Sequence, residues 1–200
     1  MSKGFLLVIS GPSGSGKGTV CKKLLEKNED LIFSISATTR KPRVGEIDGV
    51  NYFFIDKNKF NKMVDNEEFL EYANVHNNHY GTPKKFVLSE IEKGNIVILE
   101  IDVQGALQIK KSYPEGVFVF LLPPSMKELK NRIVKRGTET EKDINIRFKN
   151  AFEELKFLNE YDYFVVNDKV LDAVEKIETI IEAEKLKVKR HDNIIQKIID

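Results

Sequence analysis

Apolar and polar positions alternate along this chain in blocks that predict strands and helices in turn. A continuous apolar run at 5–9 predicts a strand, followed after a glycine-rich stretch by a helix over 19–26. Residues 31–36 alternate as a short strand, 51–55 reads as another, and 57–64 as a short helix. A strand is predicted at 68–75, with 77–82 turning back, and a helix at 84–93. The run at 95–102 is long enough to suit a strand covered on both faces, as in a parallel sheet. A helix at 104–111 and a buried strand at 117–122 follow, closed by Pro123-Pro124. Ser125 can cap a helix running to Gly137, and further helices are expected over 142–159 and 171–188, separated by a strand at 163–167. In the last helix Leu171, Val174, Ile177 and Ile181 share one side. Strands alternating with helices indicate an α/β fold with a mostly parallel sheet flanked by helices. Residues 34–82 read as a small, partly β insertion, without internal repeats or low-complexity linkers.

Composition narrows the setting. Two hundred residues, 41% hydrophobic and 32% charged, suit a single domain over 1–200 with an ordinary core. A net charge of +1 gives no bulk attraction to nucleic acid or to an anionic membrane. The lone cysteine, Cys21, cannot form an intrachain disulfide and is expected as a packed helix residue, which suits a reducing compartment. The N-terminus lacks a signal-peptide pattern and no stretch approaches the roughly 20 apolar residues of a spanning helix, so a cytoplasmic location is expected. His76, His79 and His191 have no metal-ligand spacing and are read as surface residues. The tail is basic at Lys185, Lys187, Lys189 and Arg190, then apolar at Ile194, Ile195, Ile198 and Ile199. That apolar group has helical spacing and is expected to pack, on the sheet or on a second copy in a homo-oligomer.

The chemistry concentrates in Gly11-Pro12-Ser13-Gly14-Ser15-Gly16-Lys17-Gly18-Thr19. Between a strand and a helix, Gly-x-x-x-x-Gly-Lys forms a phosphate cradle. Backbone amides and the positive helix end bind phosphate oxygens, and Lys17 adds a full charge near the β- and γ-phosphates. The hydroxyl that normally follows the lysine directly is replaced by Gly18, leaving Thr19 as the candidate magnesium ligand on this loop. Glu100 and Asp102, two apart at the end of the 95–102 strand, are expected on one face.

Six segments in order resemble the guanylate kinase family: Gly-Pro-Ser-Gly-Ser-Gly-Lys-Gly-Thr, Ser-x-Thr-Thr-Arg-x-Pro-Arg-x-Gly-Glu, Glu-Phe-Leu-Glu-Tyr, Tyr-Gly-Thr, Ile-Asp-Val-Gln-Gly and Arg-Gly-Thr-Glu-Thr. The resemblance runs from the loop to about residue 188 and implies a P-loop kinase fold. It implies a core (1–33, 83–124, 158–200), a GMP-binding part (34–82) and a helical lid (125–157). It implies transfer of the γ-phosphoryl group of ATP to GMP with Mg2+ as cofactor and GMP and ATP as the small-molecule partners. Arg40, Arg43, Tyr52 and Tyr80 match the residues that hold the GMP phosphate, and Ser36, Glu71 and Thr82 those that read guanine. One carboxylate can accept from guanine's adjacent N1–H and amine, a donor pair that adenine lacks. Glu100 and Asp102 match an acidic pair near the phosphates and GMP, with Asp102 assigned to magnesium; many relatives carry aspartate where Glu100 stands. Lys17, Arg43, Arg136 and Arg147 match the catalytic cations, with Arg132 assisting and Asn167 and Asp168 near the adenine. A catalytically inactive, protein-binding form of the same domain is the alternative, one that tends to lose the loop or the arginines retained here.

Overall fold

Strand β1 (Phe5–Ser10) is buried at every position and lies at the centre of a five-stranded parallel sheet in the computed structural model, which describes residues 3–75, 78–135, 141–191 and 199. It pairs on one side with β7 (Ile96–Glu100), beyond which lies β2 (Leu31–Phe33), and on the other with β8 (Val117–Leu122), beyond which lies β9 (Tyr163–Val166). Alternate side chains of β1 point to opposite faces, so each face needs its own cover. Phe5, Leu7 and Ile9 pack with Val20, Cys21 and Leu24 of α1 (Lys17–Lys27) and Val174, Ile177 and Ile181 of α7 (Val170–Lys185). Leu6 and Val8 pack with Val87 and Ile91 of α3 (Lys84–Glu92) and Ala106 and Ile109 of α4 (Val103–Ser112). All five strands therefore present their carboxyl ends to one edge, where open α/β sheets bind ligands.

A second sheet, in the order β4-β3-β6-β5, is built from β3 (Ala37–Thr38), β4 (Phe53–Phe54), β5 (Phe69–Val75) and β6 (Asn78–Pro83). Helix α2 (Lys57–Asp65) covers it through Phe60, stacked on Phe69 at 4.6 Å. The expected 31–36 strand is split: it leaves the main sheet after Phe33, and its continuation pairs from Ala37 in the second sheet. Residues 78–83, expected only to turn back, form a full antiparallel strand despite their polar composition, because β5 and β3 supply ladder partners on both sides. The expected 51–55 strand contracts to Phe53–Phe54.

Helix α5 (Met126–Lys135) begins at Ser125, whose Oγ accepts from Glu128 N at 3.1 Å; the expected end at Gly137 lies outside the described residues. The long helix expected over 142–159 divides into α6 (Glu141–Glu154) and a 3-10 segment, Leu155–Glu160. In α7 the side expected to be buried holds except at Leu171, which is 54% exposed; Ala173 takes its place inside. At the far edge of the sheet, buried Glu184 accepts from Tyr163 Oη and Arg190 Nη2, each at 2.7 Å, and pairs with Lys187 Nζ at 2.5 Å. Lys3 N donates to Arg190 O at 2.9 Å, tying the segment before β1 to the one after α7. Cys21 is buried, as expected, and burial pushes its thiol far above the usual range. His79 is half-buried, its ring 5.2 Å from that of Phe60, and His191 Nε2 lies 2.6 Å from Lys185 O, so neither is a free surface residue; His76 lies outside the described residues. Of the apolar tail only Ile199 is described, and it is exposed. Among the described residues no helix is long and apolar enough to cross a membrane.

Candidate active site

The loop between β1 and α1 is held by a glycine that no other residue could replace. Gly16 has φ +94° and is the N-cap of α1, and a Cβ there would fall 2.3 Å from Asn167 Nδ2. Asn167 Nδ2 in turn donates to Ser15 O at 2.8 Å, while Asn167 N donates to Leu122 O, so β8 and the following segment brace the loop. The first amides of α1 have no partners within their helix, and with its positive end they form an anion site. Lys17 Nζ folds back onto the loop, donating to Gly11 O at 2.6 Å and Pro12 O at 3.4 Å. Burial lowers its pKa, and Glu100, Glu154 and Asp102 oppose that shift.

Around Lys17 stand the carboxylates. Glu100 ends β7 and lies against Gly18, where a Cβ would meet its Oε2 at 3.4 Å. Asp102 does not share a strand face with it, contrary to the spacing argument. The strand stops at Glu100, and Asp102 is the N-cap of α4, its Oδ1 accepting from Gly105 N at 2.8 Å. A short carboxylate before a helical run captures an orphan amide more readily than it extends a ladder. Thr19 is exposed and opens onto a cavity of about 220 Å³ with Gly14, Gly16, Arg132, Asn167, Asp168 and Val170. Glu100, Glu154 and Asp102 gather about Lys17, two residues before Thr19.

Two arginines of α5 and α6 lie at this loop, one on it and one on the residue that braces it. Arg147 Nη2 donates to Ser13 Oγ at 2.6 Å, and Arg132 bonds Asn167 O through Nη1 at 3.1 Å while pairing with Glu128. Arg136 lies outside the described residues.

Across the cleft, Arg40 is gripped by Glu46, which accepts from both guanidinium nitrogens at 2.9 Å. The Arg40 Cζ sits 5.4 Å from the Tyr52 ring centre, and Tyr52 meets Tyr80 edge-on at 6.0 Å. The Arg40 bond and the Arg43 amide hold Glu46 down to about 2, and Glu46 above all holds Arg40 firmly charged. Arg43 is exposed beside this cluster, and Ser36 is half-buried on the segment entering β3, its carbonyl accepting from Phe53 N. Deeper in, Thr82 Oγ1 donates to Glu71 Oε1 at 2.7 Å with both residues buried. Burial pushes the Glu71 carboxyl up to about 7, Asp102 adding and the Thr82 bonds opposing. Arg40, Tyr52 and Tyr80 thus form one polar cluster and Glu71 with Thr82 another, and each lies near the acidic pair, Glu100 acting on Tyr52 and Asp102 on Glu71.

The guanylate kinase family model matches residues 3–184. The chain belongs to that family. It is 59% identical over 196 residues to a guanylate kinase of Caldanaerobacter subterraneus subsp. tengcongensis, covering 98% of this chain and 95% of that one. A guanylate kinase of Clostridioides difficile matches at 59% identity over 195 residues, with 98% and 95% covered. Among solved structures, the guanylate kinase of Anaplasma phagocytophilum superposes with a TM-score of 0.79 at 34% identity, covering 98% and 94%. Family members are ATP-dependent nucleoside monophosphate kinases, and nothing in the site favours the inactive, protein-binding alternative.

Sequence reasoning passed over four residues here. Glu46 stands in the Arg-x-Pro-Arg-x-Gly-Glu segment, where a carboxylate three residues past Arg43 in a turn was the available signal. Glu154 and Tyr161 had none, being ordinary residues in ordinary stretches, and Ser10, which leads directly into the glycine loop, has no spacing that marks it out. Burial pushes Glu154 up, against Lys17 and the Ser13 amide, and mainly burial pushes the Tyr161 phenol to about 12. Glu100, Asp102 and Glu154 are hard oxygen donors of the kind magnesium takes, although among the described residues no three such side chains converge closely enough to hold an ion by themselves.

Proposed function

We propose that this member of the family is an active guanylate kinase, moving the γ-phosphoryl group of ATP directly onto GMP to give ADP and GDP. The observation that carries the reading is the buried Glu71–Thr82 pair, whose carboxylate shares the neighbour Asp102 with Lys17 of the loop. A carboxylate so enclosed suits a partner with two adjacent N–H donors, as guanine offers and adenine does not. A polar site of this kind discriminates by roughly 10⁴-fold or more, since the wrong base leaves it unpaired.

Phosphoryl transfer asks for alignment and for cations around spread negative charge. In this reading the loop amides from Gly11 to Thr19 cradle the ATP phosphates, and Arg132, Asn167 and Asp168 border its base. Residues 34–82 bind GMP: Arg40, Arg43, Tyr52 and Tyr80 take its phosphate, and Ser36, Glu71 and Thr82 its base. Glu46 pre-orients Arg40, so less rotamer freedom is lost on binding. Lys17, Arg43, Arg136 and Arg147 stabilise the transition state, the last two from a lid over 125–157 that closes and excludes water. Magnesium, when bound with ATP, neutralises charge on the β- and γ-phosphates; Asp102 and Glu100 would face it, with Thr19 the loop hydroxyl for it. No side chain forms a covalent intermediate.

The test is nucleoside diphosphate formation by the purified chain with ATP and magnesium, offering GMP, AMP, CMP and UMP in turn. Turnover with GMP alone is expected. Preference for another acceptor would remove the role given to Glu71, and no turnover in a folded sample that binds GMP would overturn the reaction.

A further inference from the structure

Lys17 has three carboxylates around it, and only two were legible in the sequence. Glu100 ends β7 and Asp102 caps α4; the third, Glu154, is the last residue of α6. Its Oε2 is buried with no hydrogen-bond partner. Two further buried hydroxyls in this corner, Ser10 Oγ and Tyr161 Oη, have no partner of full hydrogen-bond geometry, yet they lie close enough for Ser10 to lower the Tyr161 phenol against its burial. Ser10 Oγ belongs to a fully buried residue at the end of β1, and Tyr161 Oη has Ser10, Asp102 and Glu154 around it. A buried polar group left unsatisfied costs roughly 1–3 kcal/mol, more when charged. A charged Glu154 oxygen without a partner, beside two hydroxyls that have only each other, indicates an occupant belonging to the working complex rather than to the resting fold.

The occupant's chemistry follows from charge. A carboxylate cannot be there to meet phosphate oxygens, which would repel it; the Ser13 amide supplies one donor, and Oε2 still requires another donor or a cation. Lys17 Nζ is engaged by Gly11 O and Pro12 O, and Arg147, two helical turns before Glu154, reaches Ser13 Oγ. The remaining cation is the divalent ion that accompanies the nucleotide. Among the described residues no three His, Cys, Asp or Glu side chains converge closely enough to cage an ion unaided. Magnesium in such sites keeps several waters, and each bound water carries two O–H donors. A carboxylate oxygen and two hydroxyls are suitable acceptors for them.

We infer that Glu154 is a positioning residue for the nucleotide-bound divalent cation, accepting hydrogen bonds from its water shell with Tyr161 and Ser10 beside it. This rests on the ATP-and-GMP reading given above. Because Glu154 ends the helix that carries Arg147, the same contact couples arrival of the cation-loaded nucleotide to the seating of that arginine on the loop.

Mn2+ can replace magnesium as a spectroscopic probe. The full chain is saturated with β,γ-imido-ATP, Mn2+ is titrated by electron paramagnetic resonance, and binding of the same analogue without metal is measured by calorimetry in EDTA. Glu154→Gln is expected to weaken Mn2+ about ten- to a hundredfold, the range for residues supporting a metal's own ligands. Metal-free binding should be unchanged or tighter, since a negative charge has left the phosphate site. Tyr161→Phe, which removes only the hydroxyl, should weaken Mn2+ by a few-fold. Mn2+ affinity within twofold of the parent in a folded Glu154→Gln chain overturns the inference. So does a parallel loss with and without metal, which would make Glu154 a brace of the loop. Where Glu154→Gln does not fold, unchanged Mn2+ affinity in Tyr161→Phe overturns it instead. A parent chain that fails to bind the analogue at all overturns the kinase reading, a result separate from these.

Discussion

Glu71 carries a burial cost that its ligand is built to remove. Its carboxyl is pushed up to about 7 by burial, so near neutral pH it is only partly ionised, yet the contact proposed for it with two guanine donors needs the carboxylate. GMP affinity should therefore fall about tenfold per pH unit below 7, beyond the titration of GMP's own phosphate. Glu71→Gln should abolish this extra dependence and weaken GMP by about a hundredfold or more, with ATP affinity held. Calorimetry from pH 5.5 to 8.5 on both chains isolates the effect, because the phosphate titrates equally in each. Stability moves oppositely. Between the unfolded value, 4.5, and about 7 the folded chain binds the extra proton, so stability is lost as pH rises through that window. At pH 8 the loss is on the order of 3 kcal/mol, and a neutral glutamine avoids it. The variant should unfold at a higher temperature than the parent at pH 8, the gap closing below pH 5; equal melting at pH 8 would show that Glu71 is not effectively buried.

At the scale of elements, α4 shows how a helix positions a side chain it does not carry. A glycine in a helix normally costs up to about 1 kcal/mol against alanine. At Gly105 the sign reverses, because a Cβ would fall 2.3 Å from Ile101 Cδ1 and 3.2 Å from Glu71 Oε2. Gly105→Ala should destabilise the chain by about 1–3 kcal/mol through overpacking. It should also raise KM for GMP several-fold without changing KM for ATP, measured by steady-state kinetics with each substrate varied. The sequence exposed the elements whose pattern is local: the apolar runs of β1, β7 and β8 and the glycine loop. It hid what depends on partners. The polar run 78–83 has no strand signature, and becomes one only because β3 and β5 flank it. Asp102 lay two residues past Glu100 and was assigned the strand's period, whereas an N-cap bond to Gly105 decides its place. Glu154 is one acid among many on a charged helix, and no spacing separates it from its exposed neighbour Glu153.

The molecule as a whole keeps its chemistry and its fastening at opposite ends of one sheet. The loop, Glu100 and Asp102 lie at the carboxyl ends of the strands, while Lys3, Arg190 and Glu184 gather beyond the start of β1, about 20 Å away along a six-residue strand. Glu184 has no exposed surface and three donors, and Arg190 lies over the Phe5 ring at 4.2 Å, so the guanidinium is itself buried. Burial alone would push the Glu184 carboxyl up, but Lys187, Arg190 and Tyr163 more than offset it and hold it below its ordinary value. Removing one member of such a buried network costs about 3–5 kcal/mol, because a charge is left inside without a partner. Glu184→Gln should accordingly lower the melting temperature by on the order of 10 °C. Its kcat and both KM values should match the parent's at 20 °C, since nothing in the network touches the cleft. The acid behaviour is opposite to that of Glu71. A carboxyl held below its unfolded value contributes fully above about 4.5 and loses that contribution as pH falls through the folded value. The melting gap between parent and Glu184→Gln should therefore be full at pH 7 and shrink below pH 4.5. A variant that melts normally but loses GMP turnover would instead mean that the far end of the sheet communicates with the site, and the separation argued from the strand directions would fail.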